Sequence, residues 1–151
     1  MSYRGIAVKE CKTIATRDLQ GATNGFVIPV LSSLEDKGFV SDERFAQYYV
    51  TIAHPGAMKG WHTHAKKTGH FFVADGLVKL VLYDGRRFKE FLMGREGGIE
   101  RNLAVRIPPG IATAFKTVGS RNAIIINYSH PPFDPRDAGE MRTTDIPYDW
   151  R

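Results

Sequence analysis

Short apolar runs recur along this chain about every ten residues, and almost none continues with the 3.6-residue period of a helix. That spacing restricts the fold to a β-sandwich or a barrel. Fifteen glycines and eight prolines supply the breaks. Strands are predicted over Ala46 to Ala53 and Gly69 to Val73. The clearest runs from Leu77 to Tyr83, rich in β-branched residues and closed by an Asp84-Gly85 turn, with Phe88 to Met93 as its return arm. Leu103 to Ile107 and Ala112 to Val118 flank the Pro108-Pro109-Gly110 turn, and Ala123 to Tyr128 reads as a buried strand. A short helix is predicted around Pro135 to Met141. The aromatic tail, Ile146-Pro147-Tyr148-Asp149-Trp150, is expected to pack back onto the body. No repeat, low-complexity stretch or linker interrupts the pattern, so residues 1–151 are expected to form one domain.

Charge and cysteine content narrow the partners. The net charge of +5 favours anions. Its basic residues are scattered, with Lys66-Lys67, Arg86-Arg87 and Arg136 in different predicted loops, so no nucleic-acid module is recognisable. The single cysteine, Cys11, excludes an internal disulfide framework and fits a reducing compartment. No apolar run approaches the ~18 residues of a membrane span. Met1-Ser2-Tyr3-Arg4-Gly5 lacks a signal-peptide core. A soluble cytoplasmic protein without membrane or nucleic-acid partners is expected.

Chemistry concentrates at Lys59-Gly60-Trp61-His62-Thr63-His64. A His-x-His on a strand directs both imidazoles to one face, with Trp61 on the other. Together with the Ile107-Pro108-Pro109-Gly110 turn it resembles the cupins, which implies an all-β, cupin-type jelly-roll β-barrel with a central pocket. Gly56, His62, His64 and Gly76 fall at the spacing of the first metal-cupin motif, but Gly69 stands where that motif has Glu. In the second motif Pro108 and Gly110 match, and Thr113 replaces the His. Two imidazoles alone hold a divalent ion weakly. No metal or other cofactor is expected.

The segment from Gln47 to His62 resembles the dTDP-4-dehydrorhamnose 3,5-epimerases, as do Lys37-Gly38-Phe39, Ile107-Pro108-Pro109-Gly110 through Phe115, and the closing Ile-Pro-Tyr-Asp-Trp. The resemblance implies a homodimer acting on a nucleotide-linked 4-keto-6-deoxy sugar in deoxysugar or surface-polysaccharide synthesis. A proton beside the carbonyl leaves, an enolate forms, and a proton returns from the other face. His62 stands at the family's base, a role that suits imidazole. Asp149 or Asp145 is expected to orient it. The family's tyrosine acid falls at Phe133, which has no proton to give, so Tyr128 is the substitute and Phe133 a substrate contact. The family lysine that steadies the enolate falls near His70. Lys59, Lys37 and Arg44 are candidates for the diphosphate, Gln47 for a phosphate oxygen, and His64 for a further substrate contact, with Phe39, Tyr48 or Trp61 as possible stacking partners. The Gly-x-His-x-His run is also similar to that of nucleotide-sugar 3,4-ketoisomerases. A non-catalytic sugar-nucleotide-binding cupin is the third reading.

Overall fold

The computed structural model describes residues 5–32, 35–36, 38–39 and 46–151. Twelve strands form among them: β1 (Ala7–Glu10), β2 (Ile14–Arg17), β3 (Thr23–Val27), β4 (Gln47–Ala53), β5 (Met58–His64), β6 (Thr68–Tyr83), β7 (Phe88–Glu96), β8 (Ile99–Arg101), β9 (Leu103–Ile107), β10 (Ala112–Thr117), β11 (Ala123–His130) and β12 (Met141–Thr143). All pairings are antiparallel. The expected all-β cupin-type architecture is what the chain adopts.

The two predicted strands at Gly69 to Val73 and Leu77 to Tyr83 are one strand, β6, which belongs to both sheets. Its first half pairs with β9 and β11, and its second half with β7 and β10. The bend between them sits at Gly76, where φ is +77° and an added Cβ would stand 2.6 Å from the Asn122 carbonyl oxygen. Only glycine tolerates both conditions cheaply. One sheet therefore runs β1-β9-β6-β11-β4 and the other β8-β7-β6-β10-β5-β12.

The main core lies between them: Phe71, Val73, Val78, Leu80, Leu82, Met93, Val105 and Ile125 are all buried in it. A second cluster covers the outer face of β5. There Trp61, Val81 and Ala114 meet Ile146, Tyr148 and Trp150 of the tail. Trp61 and Trp150 stand 6.1 Å apart between ring centroids, so the tail packs back as its aromatics require. The helix predicted around Pro135 to Met141 is absent. Asp137 and Glu140 instead donate their N–H groups to the carbonyls of Asp134 and Asp137, making successive turns. Three prolines within five residues, at 131, 132 and 135, oppose helix entry.

Candidate active site

β5 carries the site, and a bulge decides which of its side chains face inward. Thr113 lies opposite His62, but Phe115 lies opposite Lys59, so three steps along β5 match two along β10. The extra residue breaks the alternation. Lys59, His62 and His64 consequently line one pocket although 59 and 62 differ in parity. Gly60 occupies the bulge with φ of +124°, and a Cβ there would stand 2.6 Å from both the Thr113 carbonyl oxygen and the Ala114 Cβ.

The pocket holds about 150 Å³ and is walled by Phe71, Asn127, Ile107, Pro108, Thr113 and Phe115. The Pro-Pro-Gly turn closes it: the Gly110 N–H donates to the His64 carbonyl at 2.8 Å. His64 and Lys67 also line an adjoining groove of about 860 Å³, bounded by the turns between β11 and β12.

β12 and the residue just before it supply the partners of both histidines. It runs antiparallel to β5 with Met141 opposite His64 and Thr143 opposite His62. Glu140, buried just before β12, accepts from His64 Nδ1 at 2.7 and 3.0 Å through its two oxygens and from the Lys67 backbone N–H at 3.1 Å. A carboxylate can only accept, so Nδ1 of His64 carries a proton, and in the neutral ring it is Nε2 that holds the lone pair. Burial alone would push the Glu140 carboxyl up. The hydrogen bond and charge of His64, with the Lys67 N–H and charge, outweigh it and leave the group below the usual range. His62 Nδ1 lies 3.2 Å from the Thr143 hydroxyl, which can donate or accept and so leaves the tautomer open. Burial, then the nearby charge of His64, push the His62 imidazole below its ordinary pKa.

Lys67, one of the scattered basic residues that the sequence places in a loop, is only 7% exposed. Its Nζ stands 5.2 Å from the Phe133 ring centroid and 5.8 Å from that of Tyr49. Gln47 Oε1 accepts from the Tyr49 hydroxyl and from the Phe133 backbone N–H, each at 2.9 Å.

Several expected residues lie elsewhere. His70 and Tyr128 pair across β6 and β11 on the outer face, because their neighbours Phe71 and Asn127 point inward. His70 is therefore no enolate contact; its ring nitrogens meet the carbonyls of Tyr128 and Phe39 at 3.1 and 3.0 Å. Burial pushes its pKa down against those two hydrogen bonds, with the charges of Arg106 and His130 adding to the fall. Tyr128 packs on Tyr48 and His70 and offers the pocket no proton. Asp149 does not orient His62. By that point the tail has crossed to the Trp61 side, and the Asp149 carboxylate pairs with Arg151 at 2.8 Å. Asp145 is exposed beyond β12. Lys37 and Arg44 lie outside the described residues. Among those that are described, no three His, Cys, Asp or Glu side chains gather as metal ligands.

Residues 37–141 match the polysaccharide biosynthesis C-terminal domain family. The chain belongs to that family. Within reach of it, a probable low-salt glycan biosynthesis epimerase of Haloferax volcanii is 27% identical over 146 residues, covering 90% of this chain and 87% of the relative. A dTDP sugar isomerase of Desulfovibrio desulfuricans superposes with a TM-score of 0.79 at 25% identity, covering 97% of this chain and 90% of that one. A 3'-monoepimerase of Streptomyces bikiniensis, solved with dTDP-quinovose, shares the fold at 20% identity, with a TM-score of 0.74 over 93% of this chain and 70% of that one. A solved 3,5-epimerase of Legionella pneumophila shares it as well, so the resemblance read from Gln47 to His62 holds for the fold of this polysaccharide-biosynthesis family member.

Proposed function

We propose that the protein is a nucleotide-sugar epimerase that enolises a 4-keto-6-deoxy sugar carried on dTDP or another nucleoside diphosphate, in the synthesis of a deoxysugar or surface polysaccharide. The observation that carries this reading is the His64–Glu140 pair: an imidazole whose tautomer is fixed by a buried carboxylate, facing a pocket beside a buried lysine. The epimerase and isomerase relatives support the substrate class.

In this mechanism the C–H bond beside the C4 carbonyl breaks, its proton passes to His64 Nε2, and its electron pair becomes the enolate. Glu140 compensates the charge gained by His64, the logic of a base with an orienting group. The Lys67 ammonium meets the enolate oxygen, which bears full charge only after proton removal. Return of a proton to the opposite face inverts the carbon. Thus His64 takes the base role that the resemblance gave to His62, and Lys67 the one given to His70. Lys59 at the pocket edge suits the diphosphate. The exposed apolar side chains Tyr48, Val50 and Ile52 on β4 support the homodimer that the resemblance implies.

A second reading is favoured by His62, a second imidazole on the same face. In a 3,4-ketoisomerase the proton leaves C3 and one returns at C4, so two basic groups along one sugar edge are useful. Proton NMR of dTDP-4-keto-6-deoxyglucose with the protein in deuterated water separates these cases. Loss of the C3 or C5 signal with the C4 carbonyl retained is the expected result. A carbonyl moved to C3 indicates the ketoisomerase. No exchange with any nucleotide form refutes catalysis and leaves a sugar-nucleotide-binding protein.

A further inference from the structure

We infer that Gln47 is a positioning residue that fixes the Lys67 ammonium at the pocket through Tyr49 and Phe133. The inference rests on the enolate role given to Lys67 above. A side-chain amide oxygen has two lone pairs. In Gln47 one takes the Tyr49 hydroxyl and the other the Phe133 backbone N–H, each at 2.9 Å. That oxygen is fully occupied within the protein.

The two groups it holds are the same two whose rings flank Lys67 Nζ, at 5.8 and 5.2 Å. Phe133 is 61% exposed, so burial does not explain where its ring sits; the hydrogen bond to its backbone and the ring's contact with the ammonium do. One amide oxygen thereby joins β4 to the turns after β11, and the two rings it holds reach Lys67 in the link between β5 and β6. Among the described residues no carboxylate lies within 4 Å of Lys67 Nζ. Neutral rings restrain a cation by their quadrupoles without neutralising it. A carboxylate clamp would hold the ammonium equally well but would compete with the enolate for its charge. The arrangement therefore keeps the ammonium at a fixed point without a direct ion pair, so that, beyond its longer-range attraction to Glu140, its charge can meet a developing oxyanion.

Two variants separate positioning from substrate binding. Gln47→Leu removes both acceptor contacts. Phe133→Leu keeps the backbone N–H on Gln47 and removes only an exposed ring. The first readout needs no substrate: the side-chain Cε–Hε NMR signal of Lys67, assigned by its disappearance in Lys67→Met. In the native protein the two rings shift it away from the other lysines. Gln47→Leu should return it to the common position and Phe133→Leu should move it part of the way; an unmoved signal in Gln47→Leu overturns the inference. The second readout is steady-state exchange of the keto-sugar. Positioning predicts a fall in kcat of about tenfold or more with KM changed less than about twofold, since an enolate contact acts only in the transition state. It also predicts no further loss when Gln47→Leu is added to Lys67→Met. A raised KM at constant kcat, or an additive loss in the double variant, makes Gln47 a substrate contact and overturns the inference. If the native protein exchanges nothing, the proposed reaction falls and the Lys67 signal alone decides the positioning.

Discussion

Glu140→Gln is the substitution that asks most of the site. The glutamine has nearly the same shape, and its carbonyl oxygen can still accept the Lys67 backbone N–H, which the carboxylate receives at 3.1 Å. Its NH₂ group, however, must face His64 Nδ1, where a carboxylate oxygen now sits at 2.7 Å. An NH₂ group only donates, so this closer contact favours Nδ1 as acceptor with the proton on Nε2, against the 3.0 Å contact that the carbonyl oxygen keeps with Nδ1. The nitrogen that faces the pocket then has no lone pair. In serine proteases the same exchange, a carboxylate for an amide behind histidine, costs about 10⁴ in kcat through the wrong tautomer. Here the pair is partly open, with the His64 side chain 37% exposed, so the loss should lie between about 10² and 10⁴. Stability should change far less, because the buried Lys67 N–H keeps its partner. Glu140→Ala strands that N–H and should cost about 1–3 kcal/mol. Exchange rates come from NMR in deuterated water, and stabilities from urea denaturation. If Glu140→Gln retains exchange within about threefold of the native rate, tautomer control of His64 is not part of the mechanism and the base returns to His62.

Other outcomes follow from the same geometry. His62 should titrate below the ordinary imidazole value of about 6.5 in a proton NMR titration. The unfolded chain then takes its proton first as pH falls, so stability should decline below about pH 6.5 until folded His62 protonates, a slope that His62→Gln removes. Glu140 gives the opposite pattern of origin but the same sign: its folded pKa is depressed, so its contribution is fully present above about pH 4.5 and is lost as pH falls through the folded value, as urea midpoints across that range will show. His70→Phe should cost about 1–3 kcal/mol, since the neutral ring donates to one of the two carbonyls it faces and that bond is lost, while kcat is unchanged; a matching loss of exchange would put His70 back in the site. Gly60→Ala should cost about 2–6 kcal/mol through backbone strain and overpacking at the bulge, measurable by thermal denaturation.

Much of the scaffold is legible in the sequence because burial writes itself as apolar runs. β4, β7, β9, β10 and β11 fall where those runs lie, and the inward pair His62 and His64 with outward Trp61 follows from alternation alone. What fails is parity carried across a bend. His70 lies six residues beyond His64, which would place it on the same face of one continuous strand, but the chain turns at residues 65–67 and the count restarts. Local parity within β6 gives the right answer, since Phe71 and Val73 belong to the core and His70 must therefore face out. Lys59 shows the reverse: alternation would turn it away, but a bulge visible only in the pairing register brings it inward to the pocket, where the family resemblance had put it. Lys67 sits beside Lys66 in a turn, where no periodicity distinguishes a buried ammonium from a solvated one; Lys66 indeed pairs with Asp137 at the surface. Glu140 and the three-residue β12 carry no apolar pattern, so nothing in the local sequence marks them as the partners of β5.

That last gap bears on the choice between enzyme and binding protein. β5 and the Pro-Pro-Gly turn already make a pocket with two inward imidazoles, and such a pocket is sufficient to bind a polar ligand. Neither imidazole would have a defined tautomer, and some of the molecules would present the wrong nitrogen at any moment. Residues 140–143 change this for His64. They add a buried carboxylate to one ring and a hydroxyl to the other, and they do so from a strand whose register on β5 places each partner within one residue of its histidine. Burying a carboxylate costs free energy that ligand binding alone does not require. A proton acceptor of fixed polarity does require it, which is why the carboxylate, more than the histidines themselves, favours catalysis.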